Sequence, residues 1–363
     1  MIVDVTPIGG SAYERGRAHG RAFRPLIESH LSAWLASLER AGMGDPRAYV
    51  ADMLRDTDFL TALRRHTPDL LEEAHGVADG SGAPRDMLFA LQLLDEEWAY
   101  RARRKADAGK LQKCSSIAVV SPGGPTWIGQ NMDLGAYTDG HQVLLRIAAA
   151  EGRPGALVFS IAGMIGLLGV NAAGVGVCVN SIPQVPSAPE GVPVAFMIRR
   201  LLQATSLAEA SVLVQTLPHA TNQHYVIAEP GALRSFEASS DGVTEFHPPR
   251  KDRVLHTNHP LSAAQGAPES EAARANTVAR LESLTSRLAD GAPGLGEIQG
   301  ALTAFDDPRH PVCRLRGEEG IINFTTGSMI SALRPAPADI EAWVSAGPPS
   351  LGGYGHAVLP SET

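Results

Sequence analysis

The sequence predicts an α+β sandwich, and three observations point to it. From Ser11 to about Arg104 the apolar residues recur at helical spacing, whereas from Cys114 onward the chain breaks into short apolar runs separated by turns. The later helical stretches are too few to alternate with these runs as a wound parallel sheet requires. With 363 residues, 44% of them apolar, the chain is long enough to bury a sizeable core.

In the first third, Tyr13, Phe23, Leu26, Ile27, Leu31, Trp34, Leu35 and Leu38 repeat at three and four as one helical face. A second helix is expected after Pro68, through Leu70, Leu71, Ala74, Val77 and Ala78, ending at Gly80 and Gly82. A third runs from Pro84 through Met87, Leu88, Leu91, Leu94 and Trp98. Arg101 to Lys113, basic and short of large apolar residues, reads as an exposed linker in which a cut is easily accommodated.

Strands are expected at SSIAVV after Cys114, at TWIGQNMDL beyond the turn Pro122-Gly123-Gly124-Pro125, and at HQVLLRIA, ALVFSIAG and GVGVCVNSI. More follow at HYVIAEP, LRSFEAS, DRVLHTN, Ile321 to Leu333 and Ile340 to Val344. Helices are expected at about 195–203, 207–216 and 269–288. Gly155 to Pro189 carries no charge, but six glycines between Gly155 and Gly176 divide it into pieces of strand length, so it reads as buried sheet and not as a membrane span.

The formal charge of −8, without long runs, argues against nucleic acid and leaves a small molecule as the expected partner. Cys114, Cys178 and Cys313 are too few and too scattered for a disulfide framework or a paired-cysteine metal site, which fits a reducing compartment. The first thirty residues carry Asp4, Glu14, Arg15 and Arg17 and lack an apolar core, so a cytoplasmic location is expected. His19, His256 and His259 stand at no metal-ligand spacing, and neither a metal nor another cofactor is expected.

Cys114 opens a strand directly after a cleavable linker and is followed by two small polar residues, Ser115 and Ser116. Asp133, nineteen residues on, ends the strand that pairs back across the Pro-Gly-Gly-Pro turn, so a hairpin returns its carboxylate to Cys114, where it can orient a cationic amine. The segments Lys113-Cys114-Ser115-Ser116-Ile117 and Gly129-Gln130-Asn131-Met132-Asp133 resemble the nucleophile region of the acyl-coenzyme A:6-aminopenicillanate (isopenicillin N) acyltransferase family, and more distantly that of choloylglycine hydrolases and penicillin V acylases. Gly10 to Gly16 with His19-Gly20, Leu71-Glu72-Glu73 through Gly82, Gly169 to Gly174 with Asn180, His256 to Pro260, and Ala346 to Pro349 fall in the same family's order.

The resemblance implies a four-layer αββα fold of the N-terminal-nucleophile hydrolases, with two antiparallel sheets and the nucleophile at the first residue of a central strand. It implies self-cleavage between Lys113 and Cys114, leaving residues 1–113 as a helical α-chain that stays associated with the catalytic β-chain, 114–363. This α/β heterodimer leaves further homo-oligomerisation open. The thiol of Cys114 is then the nucleophile and its freed amine the base, with Asp133 holding the amine. Asn258, within Thr-Asn-X-Pro, matches the family's oxyanion asparagine; Asn180, the second candidate, falls at the strand end where the choloylglycine relatives place a substrate-lining polar residue. Arg314 lies nearest the region of the family's late, transition-state-stabilising arginine, with Arg316 as the alternative. Two departures stand out: Lys113 replaces the glycine usual before the nucleophile, and Gly320 to Ser328 holds no arginine.

The implied activity is an amidohydrolase or acyltransferase that passes an acyl group through an S-acyl intermediate on Cys114, acting on a small-molecule amide or an acyl thioester. An acyl-coenzyme A-dependent N-acyltransferase is the alternative, and an uncleaved, non-catalytic binding protein the alternative from another class.

Overall fold

Prolines open several of the helices, because the first helical turn has no use for the missing N–H. Pro25, Pro46 and Pro68 start α2 (Arg24–Arg40), α3 (Pro46–Arg55) and α5 (Pro68–Ser81). The apolar stripe read as a single face is therefore divided: α1 (Ala12–Ala22) ends before Pro25, and α2 continues at a new angle. Ser11 and Glu14 cap α1 reciprocally, and Gly82, at φ 78°, closes α5 in the left-handed conformation glycine tolerates. The computed structural model describes residues 3–4, 8–105, 114–262, 270–317 and 323–359. Among these, α4 (Phe59–His66), α6 (Arg85–Leu91) and α7 (Leu94–Lys105) complete the first helical layer. Two expectations are corrected here: the helix expected after Pro84 is two, α6 and α7, and Arg101 to Lys105 belong to α7. The remainder of the expected linker, 106–113, lies outside the described residues.

Helices α1 and α5 cross at backbone contact. A Cβ on Gly16 would lie 1.9 Å from the Glu73 carbonyl oxygen, and one on Gly76 2.2 Å from that of Tyr13. Beside the crossing the buried Glu73 is held by Arg15 at 3.4 Å and by Arg199 at 2.6 and 3.0 Å.

The strands form two sheets. The first is built from β1 (Val3–Asp4), β4 (Gln142–Ile147), β5 (Ala156–Ile161), β6 (Leu168–Asn171), β7 (Gly176–Ser181), β8 (Gln223–Glu229), β9 (Ala232–Ser239) and β10 (Gly242–Glu245), in that order. It is antiparallel except for the edge pair β1–β4. The second runs β11 (Arg253–His256), β2 (Ser115–Val120), β3 (Thr126–Gly135), β12 (Asn323–Leu333), β13 (Glu341–Ala346) and β14 (Gly355–Val358), antiparallel throughout.

The sheets face each other, and Gln130 of β3 bridges them by bonding both the N–H and the carbonyl of Val179 on β7. Helices α8 (Val194–Leu201) and α9 (Leu207–Thr216) cover the outer side of the first sheet, next to the α1–α7 layer. Against the second sheet, α10 (Glu271–Arg287) and α11 (Leu295–Leu302) pack Leu284, Ile298 and Leu302 onto Ile117, Val119 and Ile330. Each such fully buried side chain contributes roughly 1.5–3 kcal/mol. The layer order is αββα. The uncharged stretch from Gly155 is β5, β6 and β7, and among the described residues no helix is long and apolar enough to cross a membrane.

Candidate active site

Cys114 stands immediately before β2, an interior strand of the second sheet between β11 and β3, and is 1% exposed. The β2–β3 hairpin pairs Ser115 with Asn131, which carries Asp133 past the end of β2 and alongside Cys114. Burial pushes the Cys114 thiol up to about 12, and the negative charge of Asp133 adds to this; the Asp133 backbone N–H and the Arg280 guanidinium work the other way. Asp133 is itself oriented from β12, where Thr325 lies opposite it in register and donates to Oδ1 at 2.6 Å. A β-bulge follows directly, between Thr325 and Gly327.

Asn258 follows β11, and four contacts immobilise it. Its N–H donates to Thr277 Oγ1 at 2.8 Å, its Nδ2 to the Ser181 carbonyl at 2.9 Å, its carbonyl accepts from Gln184 Nε2 at 3.0 Å, and its Oδ1 accepts from Arg280 Nη2 at 2.8 Å. Arg280 joins the two halves of the site, because its Nη1 donates to the Cys114 carbonyl at 2.6 Å and to Ser115 Oγ at 2.9 Å. Asn276, one turn earlier on α10, accepts from Arg280 Nε at 3.1 Å. Sequence reasoning passed over this arginine. Its signal was a polar run, Asn276, Thr277 and Arg280, on the face of α10 that Leu284 continues as apolar core.

Cys114, Asp133 and Asn258 thus come together. Asn180 lies next to them, on β7, as a tie between the sheets: Ser116 Oγ donates to its Oδ1, with His224 Nδ1 at 3.4 Å, and its Nδ2 has no partner among the described residues. Arg314 enters through its backbone, its N–H donating to Thr325 Oγ1 at 2.8 Å, so it supports the Asp133 contact while Arg280 is the arginine that touches Cys114. Arg316 is an exposed ion-pair partner of Asp139. Lys113 lies outside the described residues. His19 accepts from the Gly163 N–H, His256 stacks on His224 at 3.5 Å, and His259 meets Thr277. No group of three or more His, Cys, Asp or Glu among the described residues is arranged to hold a metal.

The four-layer αββα sandwich is the fold of the N-terminal-nucleophile class that the sequence motifs resemble. A model of the acyl-coenzyme A:6-aminopenicillanic acid acyl-transferase family matches residues 120–319. The chain belongs to that family, and with it to the enzymes of acyl transfer at C–N bonds. It is 26% identical over 254 residues to the acyl-coenzyme A:6-aminopenicillanic-acid-acyltransferase 40 kDa form of Emericella nidulans, covering 69% of this chain and 68% of that one. Among solved structures it is similar to a variant of conjugated bile acid hydrolase from Clostridium perfringens (14% identity, TM-score 0.46, 64% of this chain and 89% of that one). It is also similar to penicillin V acylase from Agrobacterium tumefaciens (12% identity, TM-score 0.36, 64% and 83%).

Proposed function

We propose that the chain cleaves itself between Lys113 and Cys114 and then works as a cysteine amidohydrolase or acyltransferase on small-molecule amides. The convergence of Asp133, Asn258 and Arg280 on Cys114 carries this reading.

The raised thiol supports a mechanism in which turnover relies on a base close to the sulfur. At about 12, a thiol is ionised to about one part in 10⁵ at pH 7, too little for an efficient nucleophile. An α-amine on the same residue, with an ordinary value of about 7.7–8.0, supplies a base within the nucleophile's own residue. In the self-cleavage step the sulfur adds to the Lys113 carbonyl and the Lys113–Cys114 C–N bond breaks, with the thiol proton passing to the new amine. Water then opens the thioester, leaving the Lys113 carboxylate and free Cys114.

On a substrate the amine takes the thiol proton, a C–S bond forms at the carbonyl, and the leaving amine departs with that proton. Water or a second amine resolves the thioester. Asp133 holds the ammonium form of the Cys114 amine. Asn258 carries two N–H bonds on Nδ2; with one on Ser181, the second is free to meet the oxyanion. Residues 1–113 remain docked as a separate chain.

The relative's name, an acyltransferase with an acyl-coenzyme A donor, supports a second donor, a thioester, entering the same intermediate. Intact-mass measurement tests the proposal. Two chains broken before Cys114, with an acyl adduct trapped on the second by an amide substrate, support it. A single persistent chain with full activity overturns it.

A further inference from the structure

We infer that Asp95, in the first turn of α7, recognises the substrate, and that this substrate carries an alkylammonium group a few bonds from the amide carbonyl. The inference rests on the cysteine acyl-transfer reading above and names the substrate class for it.

Asp95, Glu96 and Glu97 are consecutive, but their partners differ. Glu96 accepts the Val194 N–H and the Thr221 hydroxyl, each at 3.0 Å, and Glu97 accepts Tyr49 Oη at 2.8 Å and Arg101 at 3.0 Å. These two acids are structural and almost wholly buried. Asp95 is mostly buried but keeps some exposure, burial raises its carboxyl, and among the described residues it receives one hydrogen bond, from Gln223 Nε2 at 2.9 Å. Gln223 pairs in register with Ser181, whose carbonyl holds the Asn258 amide. Asp95 is therefore linked to the proposed oxyanion donor through Gln223 and Ser181, and its charge reaches the Cys114 thiol.

A second observation points to a ligand beside Asn258. Gln184 is 8% exposed and donates from Nε2 to the Asn258 carbonyl, yet its Oε1 has no partner among the described residues. A bare buried acceptor is costly, and a ligand donor offsets that cost. Tyr137 Oη is likewise buried without a partner among the described residues, and the charges of Glu97, Arg101 and Asp95 act on it. A carboxylate and a bare amide oxygen are both acceptors. An ammonium offers three N–H donors and the complementary charge, whereas a carboxylate or phosphate would be repelled by Asp95.

Calorimetry with two isosteric amides, 4-aminobutanamide and pentanamide, tests the inference on the whole protein. The ammonium compound should bind at least about tenfold more tightly, and in Asp95→Asn that ratio should fall to within about twofold. Gln184→Leu, which leaves the carboxylate in place, should reduce the ratio partway and serves where Asp95→Asn does not fold. Equal binding of the two amides, failure of both to bind, or a preference that survives Asp95→Asn overturns the inference. Turnover of the matching p-nitroanilides separates the two readings: selective binding with no acyl group on Cys114 supports the recognition role and removes the acyl-transfer chemistry alone.

Discussion

Arg280 and Asn258 meet through one hydrogen bond, Nη2 to Oδ1 at 2.8 Å, and the same guanidinium holds the Cys114 carbonyl at 2.6 Å. The contact fixes which end of the Asn258 amide is which. With Oδ1 taken by a cation, Nδ2 is the end left for Ser181 and for an oxyanion. On the proposed mechanism, Arg280 is a positioning residue for both the proposed nucleophile, Cys114, and the proposed oxyanion donor, Asn258. Arg280→Met should lower kcat by about 10²-fold with KM little changed, and Arg280→Lys should restore part of that loss. Steady-state kinetics on folded protein check this; a change below about threefold would leave Arg280 a purely structural group.

Thr325 serves Asp133 in the same way. Its hydroxyl accepts the Arg314 N–H at 2.8 Å and donates to Asp133 Oδ1 at 2.6 Å, so one proton direction is enforced. Thr325→Val removes a hydrogen bond to a carboxylate, a contact of about 1.5–3 kcal/mol. Single-turnover acylation of Cys114 should slow by roughly tenfold or more, and Thr325→Ser should recover it. An unchanged acylation rate in Thr325→Val would detach Asp133 orientation from the chemistry.

Much of this site could be read from residue order alone, because hairpins are local. The turn at Pro122 to Pro125 sets the β2–β3 register, and the register brings Asp133 to Cys114 without further information. Asn258 was legible through its motif. Arg280 and Thr325 were not, because each reaches the site across a sheet or from a helix more than 160 residues from Cys114, and single-sequence periodicity carries no such pairing. The same reason hid β10, β14 and α11, which are short and gain their order from neighbours. The division of the first helices was written in Pro25, which periodicity alone overrode.

Two glycine-to-alanine changes should have opposite effects. At Gly16 the new Cβ falls 1.9 Å from the Glu73 carbonyl oxygen, a backbone atom that cannot turn away. Helices α1 and α5 would have to separate, carrying Arg15 away from Glu73, and the loss should reach or exceed the roughly 1–3 kcal/mol of ordinary overpacking. At Gly296, in the first turn of α11, nothing lies within 4 Å, so alanine should be neutral or stabilise by about 0.4–1 kcal/mol. Thermal melts of the two variants against the parent protein decide it; equal melting temperatures would contradict the backbone contact.

His19 makes the docking of the first helical layer sensitive to acid. It sits on α1, is fully buried, and accepts the Gly163 N–H through Nε2 at 3.2 Å, a bond that only the neutral ring can make. Burial holds its folded-state value down to about 4 from an ordinary 6.5, and the Arg199 charge lowers it further while Glu73 opposes. A depressed value means that the unfolded chain takes up the proton first. The stabilising contribution is therefore complete above pH 6.5 and drains away as the pH falls from 6.5 towards 4. The loss amounts to about 2 kcal/mol by pH 5 and about 3 kcal/mol by pH 4. His30 on α2, held down to about 3 by burial and hydrogen-bonded to the Ala162 carbonyl, acts in the same direction. Both contacts run between the helices before Cys114 and the turn after β5, so acid should loosen the two proposed chains from each other before it melts the sheets. His19→Gln keeps an acceptor for Gly163 but cannot titrate in this range. Comparing melting temperatures at pH 7 and pH 5, the variant should lose several degrees fewer than the parent. An identical drop in both proteins would place the acid sensitivity elsewhere in the molecule.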